Sequence, residues 1–179
     1  MINLDKNVKI EMAKNVGMAM MLAAETAPKG KGRNTLKMAL LLPDEFEDII
    51  KEMRKISEEH EMKFFLRDAN NLEESHALLI IGTEYSQMGL HHCSYCGFKD
   101  CDENAKFETA PCAFNNIDLG IAIGSAVSTA AMHKVDTRVM FSVGRAALDL
   151  KLLGENIKNV HGIPISIGPK NIYVDRKRK

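Results

Sequence analysis

Between about residues 6 and 26, apolar side chains recur at helical spacing, with Met12, Val16, Met20 and Ala23 on one stripe, and the run stops at Pro28. The pattern predicts a long, largely buried helix. A continuous apolar run over 36–42 predicts a buried strand. Pro43 and Asp44 then open a second helix reaching about residue 60, with Phe46, Ile49, Ile50, Met53 and Ile56 on its inner face and charges elsewhere. Residues 64–66 read as a short strand, Asn70 or Asn71 as the cap of a helical turn through Ser75, and 77–82 as a second buried strand. A third helix is expected from 115 to about 134. After it, 139–143 reads as a strand, 144–153 as a helix, and 163–167 with 172–174 as closing strands about a turn at Gly168 and Pro169. Strands separated by helices predict a layered α/β or α+β fold. No repeat or low-complexity linker interrupts it, so 1–179 reads as one α+β domain.

One stretch fits neither period. Residues 83–114 are too long for a structureless loop in a compact domain unless they carry function or a bound ion, and they read as a metal-binding insertion. All four cysteines of the chain fall inside it, at Cys93, Cys96, Cys101 and Cys112, spaced C-x2-C-x4-C-x10-C. A cubane iron-sulfur cluster needs four thiolates, and three close cysteines with a fourth further along let one loop wrap most of it. Gly97, after the second cysteine, lets the backbone turn close to inorganic sulfide. Pro111 precedes Cys112, whereas in bacterial ferredoxin runs the proline follows the cysteine. Other readings use the same residues. A structural zinc site also takes four thiolates, but its usual signature is a pair of C-x2-C hairpins and this chain has one. Disulfides fit an even count, yet the N-terminus shows no apolar signal peptide, so a reducing cytoplasm is the expectation. Unrelated free thiols are the blandest reading, and their clustering argues against it. His91 and His92 read as solvated loop residues rather than ligands.

Lysine plus arginine balances aspartate plus glutamate at 24 each, so no global field attracts nucleic acid or an anionic membrane, and no apolar run approaches a membrane span. The closing run Arg176, Lys177, Arg178 and Lys179 reads as a solvated tail. The segment Pro28 to Asn34 carries Lys29, Lys31 and Arg33, and reads either as a solvated connector or as a cradle for an anion. Because it follows a helix C-terminus, such an anion is held by side chains. Gly120, Gly124 and Ser128 recur every four residues and form a flat ridge for close helix packing, within the domain or across a dimer, or for a planar cofactor. No serine-histidine-acid pattern, metalloprotease motif or phosphate loop is present, which leaves hydrolases and kinases without support.

The run Cys93-Ser-Tyr-Cys96-Gly97-Phe98-Lys-Asp-Cys101, with Ala105 and the distal Cys112, resembles the four-iron ferredoxin-like domain of Rnf-type electron-transport subunits and corrinoid iron-sulfur proteins. The resemblance implies a [4Fe-4S] cluster on Cys93, Cys96, Cys101 and Cys112, although the last gap is shorter than usual there. The whole chain resembles a family of uncharacterised prokaryotic proteins described as containing a ferredoxin domain. It does so through Ala23-Ala24-Glu-Thr-Ala27-Pro28-Lys-Gly30-Lys-Gly32, Phe65-Leu-Arg67-Asp68-Ala69-Asn70, Cys112-Ala-Phe114 with Asp118-Leu-Gly120, and Gly162-Ile-Pro164-Ile-Ser166. Outside the insertion the frame resembles nitroreductase-like flavoproteins, in which a helix ending in Ala-Pro leads through a polar turn to a strand. That likeness implies an intertwined homodimer with FMN at the interface, and Lys29, Lys31, Arg33 and Asn34 as flavin contacts. The arginine-serine-arginine opening of those enzymes is missing, since this N-terminus begins Met1-Ile-Asn-Leu-Asp-Lys6. The leading expectation is a cytoplasmic iron-sulfur redox protein, an electron carrier or reductase with a flavin link, serving a redox partner protein or a small-molecule acceptor. Against it stand a non-catalytic dimer with a structural four-cysteine zinc site that orders a partner-binding loop, and a flavin reductase whose cysteines are incidental.

Overall fold

The computed structural model describes residues 2–174, so the basic run 176–179 lies outside the described residues. Helix α1 spans Lys6–Thr26 and is capped by Asp5, whose carboxylate accepts the Val8 N–H at 3.0 Å. Its buried residues are Ala13, Val16, Gly17, Met20 and Ala24, while Met12 is 47% exposed. The buried stripe is thus rotated from the expected one, because small residues set it. A Cβ on Gly17 would meet the Leu40 side chain, so Gly17 lets the helix lie directly on the sheet.

A 3-10 turn at Gly30–Gly32 leads into strand β1, Leu36–Leu41. After a second 3-10 turn at Pro43–Glu45, helix α2 covers Glu47–Glu59, and Phe46, Ile49, Ile50, Met53 and Ile56 are all buried as expected. Helix α3, Lys63–Glu73, replaces the short strand expected at 64–66, and Asn70 and Asn71 lie inside it rather than capping a later turn. Phe65, Asp68, Ala69 and Leu72 are buried at helical spacing, a period that three residues were too few to reveal. Strand β2, Ala77–Glu84, is buried along its length except at Glu84. Past a long connection containing the one-turn helix α4 (Cys101–Asn104), helix α5 covers Ala113–Met132.

Two further expectations need correction. The strand expected at 139–143 is only β3, Asp136–Thr137, with an isolated bridge from Met140 to Gly162. Helix α6, Phe141–Asp149, begins there because Val143, Gly144, Ala146 and Ala147 form a buried helical face. Residues 172–174 are a turn rather than a strand. It is pinned by the Tyr173 hydroxyl against Ser75 Oγ at 2.9 Å and by Arg138, which donates to the Tyr173 carbonyl at 2.9 Å. The last strand, β4, is longer than expected and runs Ile157–Ser166.

The sheet is antiparallel with order β1-β2-β4-β3, which gives the expected α+β architecture. Side-chain alternation along β2 feeds both faces. Leu79 and Ile81 join α1 and α5 in one core, while Leu78 and Ile80 join α2, α3 and α6 in the other. Asp68 is buried between α3 and α6, where its carboxylate accepts the Ser142 hydroxyl at 2.6 Å and pairs with Arg67. No helix of the described residues is long and apolar enough to cross a membrane.

A Cβ on Gly144 would overlap the Val160 carbonyl, a main-chain atom that cannot turn aside. Gly144→Ala is expected to destabilise the fold by about 3 kcal/mol, read as a lowered thermal midpoint. Burial holds the His161 imidazole below its ordinary range, and burial with the charges of Lys9 and Lys6 does the same at His76. The unfolded chain therefore takes up these protons first as pH falls past about 6.5, so the stability from both neutral rings is complete above that pH and is lost below it. Urea midpoints are expected to fall between pH 7.5 and 5.5, and to fall less in His161→Gln.

Candidate functional site

Beyond the Glu84 end of β2 the chain dips into the interior at Met88 and again at Asn104, and otherwise runs near the surface to Cys112. Cys93 and Cys96 sit on a turn, Cys101 is the first residue of α4, and Cys112 is the N-cap of α5. All four line one small cavity, floored by Met88 and walled by Leu90, Tyr95 and Phe114. Every cysteine is free, and Cys112 is buried. The backbone that presents them is bent unusually: His92 and Ser94 both take φ of 56°, and Gly97 takes 84°. That third value is the one for which the sequence places a glycine. The Gly97 N–H donates to Ser94 O at 3.0 Å and Ser94 Oγ donates to Lys99 O at 2.9 Å, closing the turn around Cys96. His91 and His92 are exposed, as a solvated pair should be.

The thiols ring the cavity rather than meeting at a point. Among the described residues no three His, Cys, Asp or Glu side chains gather closely enough to hold one metal ion. The space inside is about 10 Å³, and the Met88 thioether that lines it is a flexible side chain. Cys112 lies at the start of a twenty-residue helix, whose first amides lack helical partners and favour negative charge beside them. Tyr95, 73% exposed, stacks on Phe114 with centroids 6.0 Å apart and covers the outer side.

The turn of Lys29 to Asn34 adjoins this cavity, and its polar groups bond within the chain. Lys29 Nζ donates to the carbonyls of Ala24, Glu25 and Ala27, neutralising the C-terminal end of α1. Lys31 Nζ reaches Met88 O at 3.4 Å, Arg33 donates to Gln87 O at 2.9 Å and to Ser86 Oγ at 3.0 Å, and Asn34 donates to the Glu25 carboxylate. The Gly30 N–H donates to buried Asp118 at 3.0 Å. These side chains tie the turn to α1, to α5 and to the segment that floors the cysteine cavity.

A second concave site lies at the other end of β2 and has no counterpart in the sequence reading. A cleft of about 550 Å³ is lined by Lys63, Arg67 and Asn70 of α3, by one carboxylate, Glu74, and by Arg138, Lys170, Ile172 and Tyr173. Arg67 is paired with Asp68 and Arg138 holds the Tyr173 carbonyl, but Lys63 and Lys170 have no ion-pair partner among the described residues. Burial raises the Tyr173 phenol above its ordinary range, so it stays a neutral wall. The sequence carried a faint signal, since Lys63, Arg67 and Asn70 share one helical face once 63–73 is read as helix.

The chain is 37% identical over 182 residues to an uncharacterized protein of Archaeoglobus fulgidus, covering 98% of this chain and 97% of that one. Residues 108–176 match the family described as "Uncharacterized protein containing a ferredoxin domain". The chain belongs to that family. Of the cysteines, the matched region contains Cys112. Similar solved structures include a BluB-like flavoprotein from Clostridium difficile 630, at 16% identity and TM-score 0.57 over 92% of this chain and 85% of that one. Nitroreductase A from Vibrio parahaemolyticus is another, at 11% identity and TM-score 0.56 over 94% and 70%. A third is an oxidoreductase containing FMN, at 15% identity and TM-score 0.56; the match takes in 86% of this chain and 66% of that protein's length. These likenesses show the nitroreductase-like frame expected from the residues outside the cysteine segment.

A Cβ at Gly30 would lie 2.8 Å from the Met88 Cε and 3.4 Å from the Phe114 ring. Gly30→Ala is therefore expected to push Met88 into the cysteine cavity. The thermal midpoint should move little, because Met88 is flexible, whereas the labelling rate of Cys112 by a thiol reagent should change severalfold.

Proposed function

We propose that this protein is an iron-sulfur redox protein, an electron carrier or reductase, in which Cys93, Cys96, Cys101 and Cys112 of a ferredoxin-like insertion hold a [4Fe-4S] cluster. The observation that carries this reading is the common cavity lined by four free thiols from three separate pieces of chain. A zinc ion with bonds near 2.3 Å draws its sulfurs to within about 4 Å of one another. A cubane keeps its ligands further apart by its own bulk, so cysteines that line one cavity without closing on a point suit it better, the cavity widening as the group enters. When bound, such a cluster passes single electrons. The chain's own contribution is ligation, the buried Met88 floor and the Phe114 wall that limit water, and the α5 N-terminus beside Cys112, which stabilises added negative charge.

The cationic cleft is the better candidate for FMN, in place of the Lys29 to Asn34 turn, whose side chains already hold the protein together. Its volume lies in the small-molecule range. Lys63 and Lys170 offer charge to a phosphate, and Leu66, Ile172 and Val174 offer apolar surface to a ring system. A homodimer belongs to the same proposal. Met18 and Leu22 of α1 and Ile117 and Ile121 of α5 are exposed, and the space above Gly120 and Gly124 is open, so a second chain can approach α5 closely. A cytoplasmic setting keeps the thiols reduced. Electrons go to or come from a redox partner protein or a small-molecule acceptor.

Protein purified under nitrogen is expected to carry about four irons and four acid-labile sulfides per chain, with broad visible absorbance that Cys96→Ser abolishes. Colourless protein with one zinc per chain overturns the cluster in favour of a structural zinc site on the same four thiolates. Lys63→Glu with Lys170→Glu should weaken FMN binding at least tenfold while iron content holds, measured by flavin fluorescence after dialysis. Unchanged flavin affinity overturns the assignment of the cleft.

A further inference from the structure

Among residues 89–111 Asn104 alone is buried. It is 1% exposed and ends α4. A long segment usually hangs from apolar side chains sunk in a core. Here an amide does that work. Asn104 Oδ1 accepts a hydrogen bond from Gln87 Nε2 at 2.8 Å, and its Nδ2 donates to the Pro111 carbonyl at 3.4 Å. Gln87 adjoins Met88, the cavity floor; Pro111 adjoins Cys112; and Cys101 opens the same short helix. One side chain thus joins the floor to the pieces of chain that carry Cys101 and Cys112.

The partner is itself held firmly. The Gln87 carbonyl accepts from Arg33, Arg33 also grips Ser86 Oγ, and the Ser86 N–H donates to Asn115 Oδ1 at 3.0 Å. A helix of four residues does not persist alone, because one turn does not repay the cost of nucleation. Asp100 caps its start, accepting the Glu103 N–H at 2.9 Å, and Asn104 secures its end.

We propose that Asn104, acting through Gln87, is a positioning residue that fixes the separation of Cys101 from Cys112 before any metal group is bound. The proposal rests on the reading of the four cysteines as cluster ligands. Asn104 then holds the Cys101 and Cys112 segments together before the cluster enters, and the cluster leaves slowly.

The test uses the full chain purified under nitrogen. Loss of visible absorbance after adding an iron chelator is timed, the paramagnetic resonance spectrum of the reduced protein is recorded, and thermal midpoints are measured by circular dichroism. Asn104→Leu is expected to lose its cluster at least about tenfold faster and to shift the resonance spectrum, with the thermal midpoint nearly unchanged. Asn104→Asp keeps the acceptor for Gln87 but turns a second acceptor toward Pro111, so it should lie between wild type and Asn104→Leu. Gln87→Met should match Asn104→Leu, and the double variant should be no worse than either, because both act through one bond. Unchanged loss rates, or effects of the two substitutions that add, overturn the proposal. If wild-type protein carries no iron or sulfide, the cluster reading fails by itself. Asn104 is then judged by thiol-reagent labelling of Cys101 and Cys112 in the metal-free chain, where equal rates in wild type and Asn104→Leu sink it.

Discussion

The burial of β2 on both faces is the constraint from which the rest of the molecule is built. An antiparallel strand with apolar residues at successive positions must be covered above and below, and Leu78 to Ile81 draw α2, α3 and α6 to one side and α1 and α5 to the other. Eight residues at about 3.3 Å each make the strand some 25 Å long, and what lies past each end is set by this length. The Glu84 end delivers the chain to the cysteine cavity; the Ala77 end, with Ser75 bonded to Tyr173, borders the cationic cleft. The two concave sites are therefore held at opposite ends of this buried strand.

Away from that strand the structural logic changes from apolar to polar. The segment between Met88 and Cys112 contributes almost nothing to either core, and its order comes from directional bonds: Gln87 with Asn104, Ser86 with Asn115, Arg33 with both Ser86 and Gln87. Such bonds hold position well and add little net stability, because each replaces a bond to water. A cysteine segment built this way is stiff enough to gather four thiols and weak enough to be reordered by the group they bind. The buried Asn115 Nδ2 has no hydrogen-bond partner among the described residues, the one side-chain donor of this network left unpaired there.

Much of this was legible in the residues, and what was not had physical causes. The helix at 6–26, the strands near 36–42 and 77–82, and the inner face of α2 stood out because their apolar periods are long. Helix α3 was hidden because Phe64, Phe65 and Leu66 are consecutive and strand-like, while the residues that declare the helical face, Asp68 and Ala69 with Leu72, include a buried carboxylate whose partner Ser142 lies far along the chain. Met12 lost its expected place to Ala13 and Gly17 because closeness to Leu40 rewards small residues over hydrophobic ones. The cysteine spacing was plain, but the cleft was not, because Lys63, Arg67, Arg138 and Lys170 come together only through the fold.

The turn of Lys29 to Asn34 shows how the same charges serve differently in a sequence and in a structure. Three cations in seven residues look like a cradle for an anion, and after a helix C-terminus they indeed find negative potential, but it is that of the protein's own carbonyls. A phosphate there has to compete with internal bonds at every side chain, whereas one in the cleft meets Lys63 and Lys170 with their charges uncommitted. The cost of ligand binding includes breaking whatever the binding groups already hold. That asymmetry, more than the number of cations, is what separates a turn whose cations are committed to the chain's own carbonyls from a cleft whose lysines are not.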